Sequence, residues 1–289
     1  MTVPHRTYEI MLKLNALDRG HVELLKTTLC NIGIKPHEIV EVNHAPQRCL
    51  SIYSSTLRKA RTIKKDIAAL GLNNISIGFK SLRKKDWQTR WQKEFRPFLL
   101  TDRIRVIPAW LRNKYSAKIS NQIYIDTALA FGTGLHATTR FMARFIARSQ
   151  GKFLSFLDIG TGTGILALVA FKCGAKEITA VDMSRDAVKT AKRNFELNGC
   201  RPKNLNIIDF ARATQRNIYD FVAANLITQD LMAMKKKLVA AVKPGQYLAV
   251  SGISLSNFEM FRKAFKPLPL RCLGIQKGEG WVAILYKKI

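Results

Sequence analysis

The first part of the chain alternates strand-like and helix-like patterns of apolar and polar residues. Period-two alternation is typical of half-buried strands, and apolar residues spaced by three or four are typical of amphipathic helices. The patterns follow the order β-α-β-β-α-β, over 8–14, 21–32, 38–42, 49–53, 55–70 and 75–79. This order predicts a small ferredoxin-like α+β domain over 1–85.

From residue 152 onwards, apolar runs alternate regularly with helical patterns. An apolar run over 153–159 leads into a glycine-rich turn, and the strand–helix unit then repeats as far as residue 251. Strands that alternate with helices predict a parallel sheet covered on both faces, hence a doubly wound α/β domain over 99–289. A linker helix is predicted between the domains, over 86–98, because aromatic residues recur there every four positions, at Trp87, Trp91 and Phe95.

The charge of the chain is strongly basic. Lysine and arginine number 48 against 20 aspartate and glutamate residues, a formal net charge of +28. Such a field attracts polyanions, so RNA or a ribosomal particle is a candidate partner. The basic residues are spread over the whole chain and no RNA-binding motif accompanies them. A generally basic surface is therefore the simpler interpretation, with contact to rRNA left open.

Cysteine spacing and hydropathy indicate the compartment. The five cysteines are scattered and form no CxxC pair, which predicts reduced thiols rather than a disulfide framework or a metal site. No window approaches the roughly 18 consecutive apolar residues of a membrane span, and the start lacks the features of a signal peptide. The expectation is a cytoplasmic protein without membrane contact.

A glycine-rich turn and two acidic strand ends carry the candidate chemistry. The turn has the sequence Leu-Asp158-Ile-Gly160-Thr-Gly162-Thr-Gly164, and it lies between a predicted buried strand and a helix. Asp182 and Asp209 end the next two predicted strands, where carboxylates can accept hydrogen bonds from ribose hydroxyls and an adenine amine. The spacing differs from the GxGxxG of dinucleotide sites and favours an adenosyl cofactor without phosphates. A tight structural turn is the alternative.

The most specific motif precedes that turn. It is Asp126-Thr-Ala-Leu-Ala-Phe131-Gly-Thr-Gly-Leu-His136-Ala-Thr-Thr139, hereafter the signature segment, and it resembles the DPGxAFGTGTHPTT segment of the ribosomal protein L11 methyltransferases, the PrmA family. The likeness continues through the glycine turn, the N-x-x-x-N-G pattern at 194–199 and the D-x-V-x-A-N-I pattern at 220–226. It covers residues 86–289, and the ferredoxin-like part fits the family's substrate-recognition domain in pattern only.

The resemblance implies fold, cofactor and partner. We expect a seven-stranded Rossmann-like methyltransferase sheet, S-adenosylmethionine as cofactor, and a monomer that methylates lysine side chains or an N-terminal amine of ribosomal protein L11. The family's cofactor-contacting positions match Thr139, Gly160, Asp182 and Asn225. The Asn225 amide could hold the methionine part of the cofactor or the incoming amine.

Two further residues of the signature segment are candidates for the transfer step. His136 could act as a base or an orienting group, and hydrogen bonding within the loop is an equal alternative. Phe131 would line the amine channel unless it serves only in packing. Leu135 and Ala137 depart from the family's Thr and Pro, and Leu226-Ile227-Thr228 departs from Ile-Leu-Ala. Lysine methylation of another protein and methylation of RNA therefore remain alternatives.

Overall fold

The computed structural model describes residues 6–14, 22, 25, 28, 29, 32–34, 39–44, 47–54, 56–72, 75–83, 96–115, 121–126, 133–201, 204–207 and 218–289. The chain divides into two compact units, Met1–Phe95 and Arg96–Ile289. Most of the predicted linker helix over 86–98 lies outside the described residues. In the part of the chain that is described, no helix is long and apolar enough to span a membrane.

The first unit contains an antiparallel sheet with a helix packed on one face. Its strands lie in the order β2-β3-β1-β4, and each neighbouring pair is antiparallel. Alternate side chains, such as Ile10 and Leu12, enter the core between sheet and helix. The elements are β1 (Arg6–Leu14), β2 (Ile39–His44), β3 (Gln47–Ser54), α1 (Leu57–Ala69) and β4 (Ile75–Arg83), with helical conformation also at Val22, Leu25, Thr28 and Leu29.

Helix α1 shows how local sequence sets these elements. The Thr56 hydroxyl accepts a hydrogen bond from the Lys59 amide and so caps the start of the helix. Ala60, Ile63 and Ile67 share its buried face because they recur every three or four residues. Basic side chains occupy much of the opposite, exposed face, at Arg58, Lys59, Arg61, Lys64 and Lys65.

The second unit is built around a seven-stranded sheet in the order β10-β9-β8-β11-β12-β14-β13. The first five strands in this order are parallel. Strand β14 pairs antiparallel with β12, and β13 pairs antiparallel with β14. The strands are β8 (Ser155–Ile159), β9 (Glu177–Asp182), β10 (Asn204–Ile207), β11 (Tyr219–Asn225), β12 (Val242–Ser254), β13 (Leu270–Gly278) and β14 (Trp281–Lys288). The helices are α2 (Ala137–Arg148), α3 (Ile165–Lys172), α4 (Arg185–Leu197), α5 (Thr228–Ala241) and α6 (Phe258–Phe265).

Helices cover both faces of this sheet. Phe156 of β8 belongs to a core that includes residues of α2, α3 and α4. The next residue, Leu157, points to the other face and joins a core that includes residues of α5 and α6. Both faces of the parallel strands are therefore buried, which explains why these strands consist of almost continuous apolar runs.

Two helices of this unit were not predicted. Helix α2 begins inside the signature segment, and α6 follows β12. A small separate sheet is formed by β5 (Phe98–Leu99), β6 (Arg105–Pro108) and β7 (Gln122–Ile125). The last of its strands runs directly into Asp126, so it positions the start of the signature segment.

A carboxylate fixes the start of β8. Asp220 Oδ2 accepts hydrogen bonds from the Leu154 and Ser155 amides, each at 2.9 Å, and its Oδ1 pairs with Lys243 Nζ at 2.8 Å. Burial raises the pKa of Asp220, but these hydrogen bonds outweigh it and hold the pKa at about 2. Asp220 lies at the amino end of β11, at the opposite edge of the sheet from Asn225.

Candidate active site

The glycine turn joins β8 to α3 at the carboxyl edge of the parallel strands. Gly160, Gly162 and Gly164 all have positive φ angles, of 72°, 55° and 82°, which a side chain would strain. A Cβ added at Gly160 would lie 2.5 Å from Leu226 Cδ2, and one at Gly164 would lie 2.7 Å from Phe195 Cε1. The turn therefore requires glycine both for its backbone angles and for the space around it.

Asp158 supports this turn from beneath. Its side chain is only 1% exposed, and its Oδ2 accepts hydrogen bonds from the Thr161 hydroxyl at 2.8 Å and the Ala167 amide at 3.2 Å. Burial raises the pKa of Asp158 to about 7, although the two hydrogen bonds lower it. The carboxyl group therefore faces the turn and the start of α3 rather than solvent.

Asp182 holds the same turn from the neighbouring strand. Its Oδ2 accepts a hydrogen bond from the Gly162 amide at 3.0 Å, and its Oδ1 accepts one from the Ser184 amide at 2.9 Å. The side chain is half-buried at the end of β9, and each carboxylate oxygen can accept a further hydrogen bond. Asp209, the acidic residue predicted for the following strand end, lies outside the described residues.

Asn225 ends β11, next to the start of α2. Its Nδ2 lies 3.2 Å from Thr138 Oγ1 and 3.5 Å from Thr139 Oγ1, and it donates to both. Among the described residues no group donates to Asn225 Oδ1. The amide oxygen can therefore accept a hydrogen bond from a bound molecule.

A close backbone contact fixes the residue after Asn225. The Leu226 amide donates to Ser251 O at 3.0 Å. At Gly252, where φ is 88°, a Cβ would lie 2.0 Å from Leu226 O. Only glycine lets β12 pass so close to the chain that leaves β11, so Gly252 sets the position of this strand end.

His136 continues the network that begins at Asn225. Its Nδ1 lies 2.8 Å from Thr138 Oγ1, the hydroxyl that also accepts from Asn225. Its ring meets Trp281 edge to face, with centroids 5.1 Å apart. No role was predicted for Thr138 or Trp281, and only their proximity in space to His136 shows that they belong to this network. Phe131 lies outside the described residues.

Arg140 ties the signature segment to the hairpin that carries Trp281. Its Nη1 donates to the Leu135 carbonyl at 2.8 Å, and its Nη2 pairs with Glu279 Oε1. Glu279 is the only described non-glycine residue with a positive φ, of 52°, and it lies in the turn between β13 and β14. The two segments on either side of His136 are therefore held together.

The arrangement suits a cofactor that lacks phosphate groups. Among the described polar side chains at the turn and the neighbouring strand ends are the carboxyl groups of Asp158 and Asp182 and the amide of Asn225. The Asp182 carboxylate would repel a pyrophosphate, but it can accept from ribose hydroxyls and favours a cationic group. The turn with its positive φ angles also lets a ligand approach the backbone closely. The residues therefore fit S-adenosylmethionine, a sulfonium nucleoside.

Comparisons with known proteins agree with this geometry. Residues 27–289 match the family model of ribosomal protein L11 methyltransferase (PrmA). A ribosomal protein L11 methyltransferase from Symbiobacterium thermophilum is 33% identical over 229 residues, which cover 77% of this chain and 73% of the relative. One from Janthinobacterium sp. is 31% identical over 228 residues, covering 78% and 73%. The crystal structure of a ribosomal protein L11 methylase from Lactobacillus delbrueckii subsp. bulgaricus superposes with a TM-score of 0.61 at 25% identity, covering 67% of this chain and 99% of that one.

Proposed function

Because the chain belongs to the ribosomal protein L11 methyltransferase (PrmA) family, we propose that it methylates lysine or N-terminal amines of ribosomal protein L11. The cofactor is S-adenosylmethionine, which supplies a methyl group already activated by the sulfonium. The observation that carries the proposal is the network of Asn225, Thr138 and His136 beside the glycine turn. This network holds the signature segment at the edge of the sheet where the glycine turn lies.

The cofactor contacts follow from the geometry of the turn. Gly160, Gly162 and Gly164 let the cofactor approach the backbone, while Asp158 shapes the turn from beneath. Asp182 accepts from the ribose hydroxyls with the acceptor capacity that its two backbone contacts leave. We assign Asp209 to the adenine amine, and Thr139 with Asn225 to the methionine end.

Orientation of the acceptor amine falls to Asn225. The amide is fixed because its Nδ2 donates to two threonine hydroxyls, so its Oδ1 is aimed in one direction. An amine N–H that donates to this oxygen would point its lone pair at a defined angle, and such alignment is the main requirement of a displacement reaction. His136 orients the amine or accepts its proton, and Phe131 lines the channel. Lysine, with a pKa near 10.4, must arrive neutral, and burial of the ammonium favours that form.

Exposed apolar side chains next to this network favour a protein substrate over RNA. Leu135 is 48% exposed and directly precedes His136, and Ile227 is 59% exposed and follows Asn225 by two residues. Apolar surface around a site favours contact with apolar side chains, whereas RNA phosphates require basic groups. Both positions depart from the family pattern, so they would also adjust which sequence around the amine is accepted.

We assign substrate recognition to the first unit and catalysis to the second. The strand order β2-β3-β1-β4, together with α1 and the helical positions between β1 and β2, supports a ferredoxin-like fold for the first unit. The basic face of α1 is a candidate for contact with rRNA when L11 is presented on the ribosome. These assignments place the target amine at the carboxyl edge of the second unit's sheet.

The test supplies the purified protein with radiolabelled S-adenosylmethionine and one of three substrates: free L11, assembled large subunits or naked rRNA. We expect label on L11. We also expect Asn225→Ala to lower the rate about a hundredfold, because a misplaced acceptor loses a factor of this size. Asn113→Ala makes the same change at an exposed position of the turn after β6, and it should leave the rate unchanged.

Each outcome separates the alternatives. Label on rRNA alone would refute a protein substrate and make the net charge the relevant feature. Label on another ribosomal protein would retain the amine chemistry and reject L11. Equal loss of methyl-transfer activity in the Asn225 and Asn113 variants would mean that Asn225 does not belong to the active site.

A further inference from the structure

We infer that Asn194 is a positioning residue that couples the glycine turn to the signature segment. Asn194 lies in the last two turns of α4 and is 0% exposed. Its Nδ2 donates to two carbonyls in different segments, Thr163 O at 2.8 Å and Asp126 O at 3.1 Å. Its Oδ1 accepts from the Asp126 amide at 2.8 Å. One side-chain amide thus joins three parts of the chain, and the inference rests on the proposed function.

The contact with Thr163 O fixes one of the peptide groups of the glycine turn. Its neighbours are held from the adjacent strand, since the Gly160 and Thr161 amides donate to Val181 O and the Gly162 amide donates to Asp182. Asn194 supplies the restraint from the helix side. Because the flanking glycines have soft backbone angles, loss of this restraint would loosen the peptide group between residues 163 and 164, which is also held where the Gly164 amide donates to Thr161 O at 2.8 Å.

The contact with Asp126 fixes the start of the signature segment. Asn194 pairs with both the amide and the carbonyl of Asp126, as a neighbouring strand would. Thr138 and Thr139, which contact Asn225, lie at the other end of this segment. A shift of Asn194 would therefore move the glycine turn and the start of the signature segment together.

The same helix offers a matched control one turn later. Asn198 Oδ1 accepts from the Tyr124 amide at 2.8 Å, and its Nδ2 donates to Tyr124 O and Asn194 O, each at 2.7 Å. Asn198 therefore pairs with β7 in the way that Asn194 pairs with Asp126, and among the described contacts it has none with the glycine turn. An Asn→Asp change at either position keeps the shape and the accepted hydrogen bond and removes two donated hydrogen bonds.

The test compares Asn194→Asp with Asn198→Asp by calorimetry with S-adenosylhomocysteine and by thermal unfolding. We expect Asn194→Asp to weaken S-adenosylhomocysteine binding by about tenfold or more, as the loss of a buried hydrogen bond does. Asn198→Asp should change it by less than about threefold. Its unfolding temperature should fall less than that of Asn194→Asp, because Asn198 is half-buried and Asn194 is fully buried. If Asn194→Asp does not fold, Asn194→Ala and Asn198→Ala replace the pair.

The outcomes distinguish this inference from the proposed function. Equal changes in affinity for the two variants would mean that Asn194 acts only through stability, and would overturn the inference. If the unaltered protein failed to bind S-adenosylhomocysteine, the proposed function itself would fail. Weaker binding in Asn194→Asp with an unaltered preference for L11 over rRNA would support both.

Discussion

Substitution of Gly252 by alanine should displace the end of β11, which carries Asn225, without altering any residue that we assign to cofactor or substrate contact. The new Cβ would lie 2.0 Å from Leu226 O and 2.7 Å from Leu226 C. These are backbone atoms, so no side-chain rotation can relieve the clash. Since Leu226 directly follows Asn225, the displacement would change the direction of the amide that we assign to the acceptor amine.

The expected loss of stability in Gly252→Ala has two separate contributions. An alanine at a φ of 88° incurs the left-handed penalty of about 1–2 kcal/mol. Overpacking against the Leu226 backbone adds about 1–3 kcal/mol. Gly245 provides the control, because its φ is 74° and an added Cβ would meet nothing within 4 Å. Gly245→Ala should therefore show the first cost alone.

Thermal unfolding measures the difference between the two variants. Each kcal/mol lowers the midpoint by about 2–4 °C in a domain of this size, so the additional cost of about 1–3 kcal/mol should make Gly252→Ala unfold about 2–12 °C below Gly245→Ala. Methyl transfer to L11 should fall in Gly252→Ala by about ten- to hundredfold and remain normal in Gly245→Ala. Equal midpoints and equal activities would refute the idea that this close contact positions Asn225.

Three further perturbations test single interactions. Thr138→Val keeps the side-chain volume but removes one hydroxyl that contacts Asn225. The value of kcat should fall about tenfold or more, while S-adenosylhomocysteine affinity in calorimetry should fall by a smaller factor, because Thr139 still accepts from the Asn225 amide. A normal kcat would contradict the network. Burial raises the pKa of Asp158 to about 7, so its contribution to stability is present below about pH 4 and is lost as the pH rises through about 7. In urea unfolding, the free energy of unfolding of the unaltered protein should fall relative to that of Asp158→Asn as the pH rises over this range. A difference between the two free energies that is independent of pH would exclude a buried neutral carboxyl. Hydrogen bonds outweigh burial and hold the pKa of Asp220 at about 2, so the contribution of Asp220 to stability is present above about pH 4 and is lost as the pH falls towards 2. Asp220→Asn should abolish this loss of stability in acid. If the loss persisted in the variant, other carboxylates would be its cause.

Residues that lie at strand ends could be found from the sequence. Asp182 and Asn225 each follow an apolar run, and the carboxyl ends of parallel strands share one edge of the sheet. The strand patterns themselves were visible because both faces of the sheet are buried. The resemblance to the L11 methyltransferases was confirmed by the family match, since the signature segment is specific enough to identify them.

Contacts between distant side chains could not be found in this way. Thr138 and Asn225 are 87 positions apart, and nothing in the local pattern pairs them. The first turn of helix α2 contains Thr138 and Thr139, and β-branched residues are weak helix formers. Helix α6 is different, because Phe258, Phe261 and Phe265 have helical spacing and form its buried face. This pattern is visible in the sequence alone.

The strand order has a consequence for synthesis. β14 inserts between β12 and β13 and carries Trp281 to the edge of His136, yet a ribosome makes it after the other strands of that sheet. Because domains fold as units, a nascent chain without β14 lacks the strand that joins β12 to β13. The wall of the site beside His136 is then missing, so the enzyme matures only when this strand has left the ribosome.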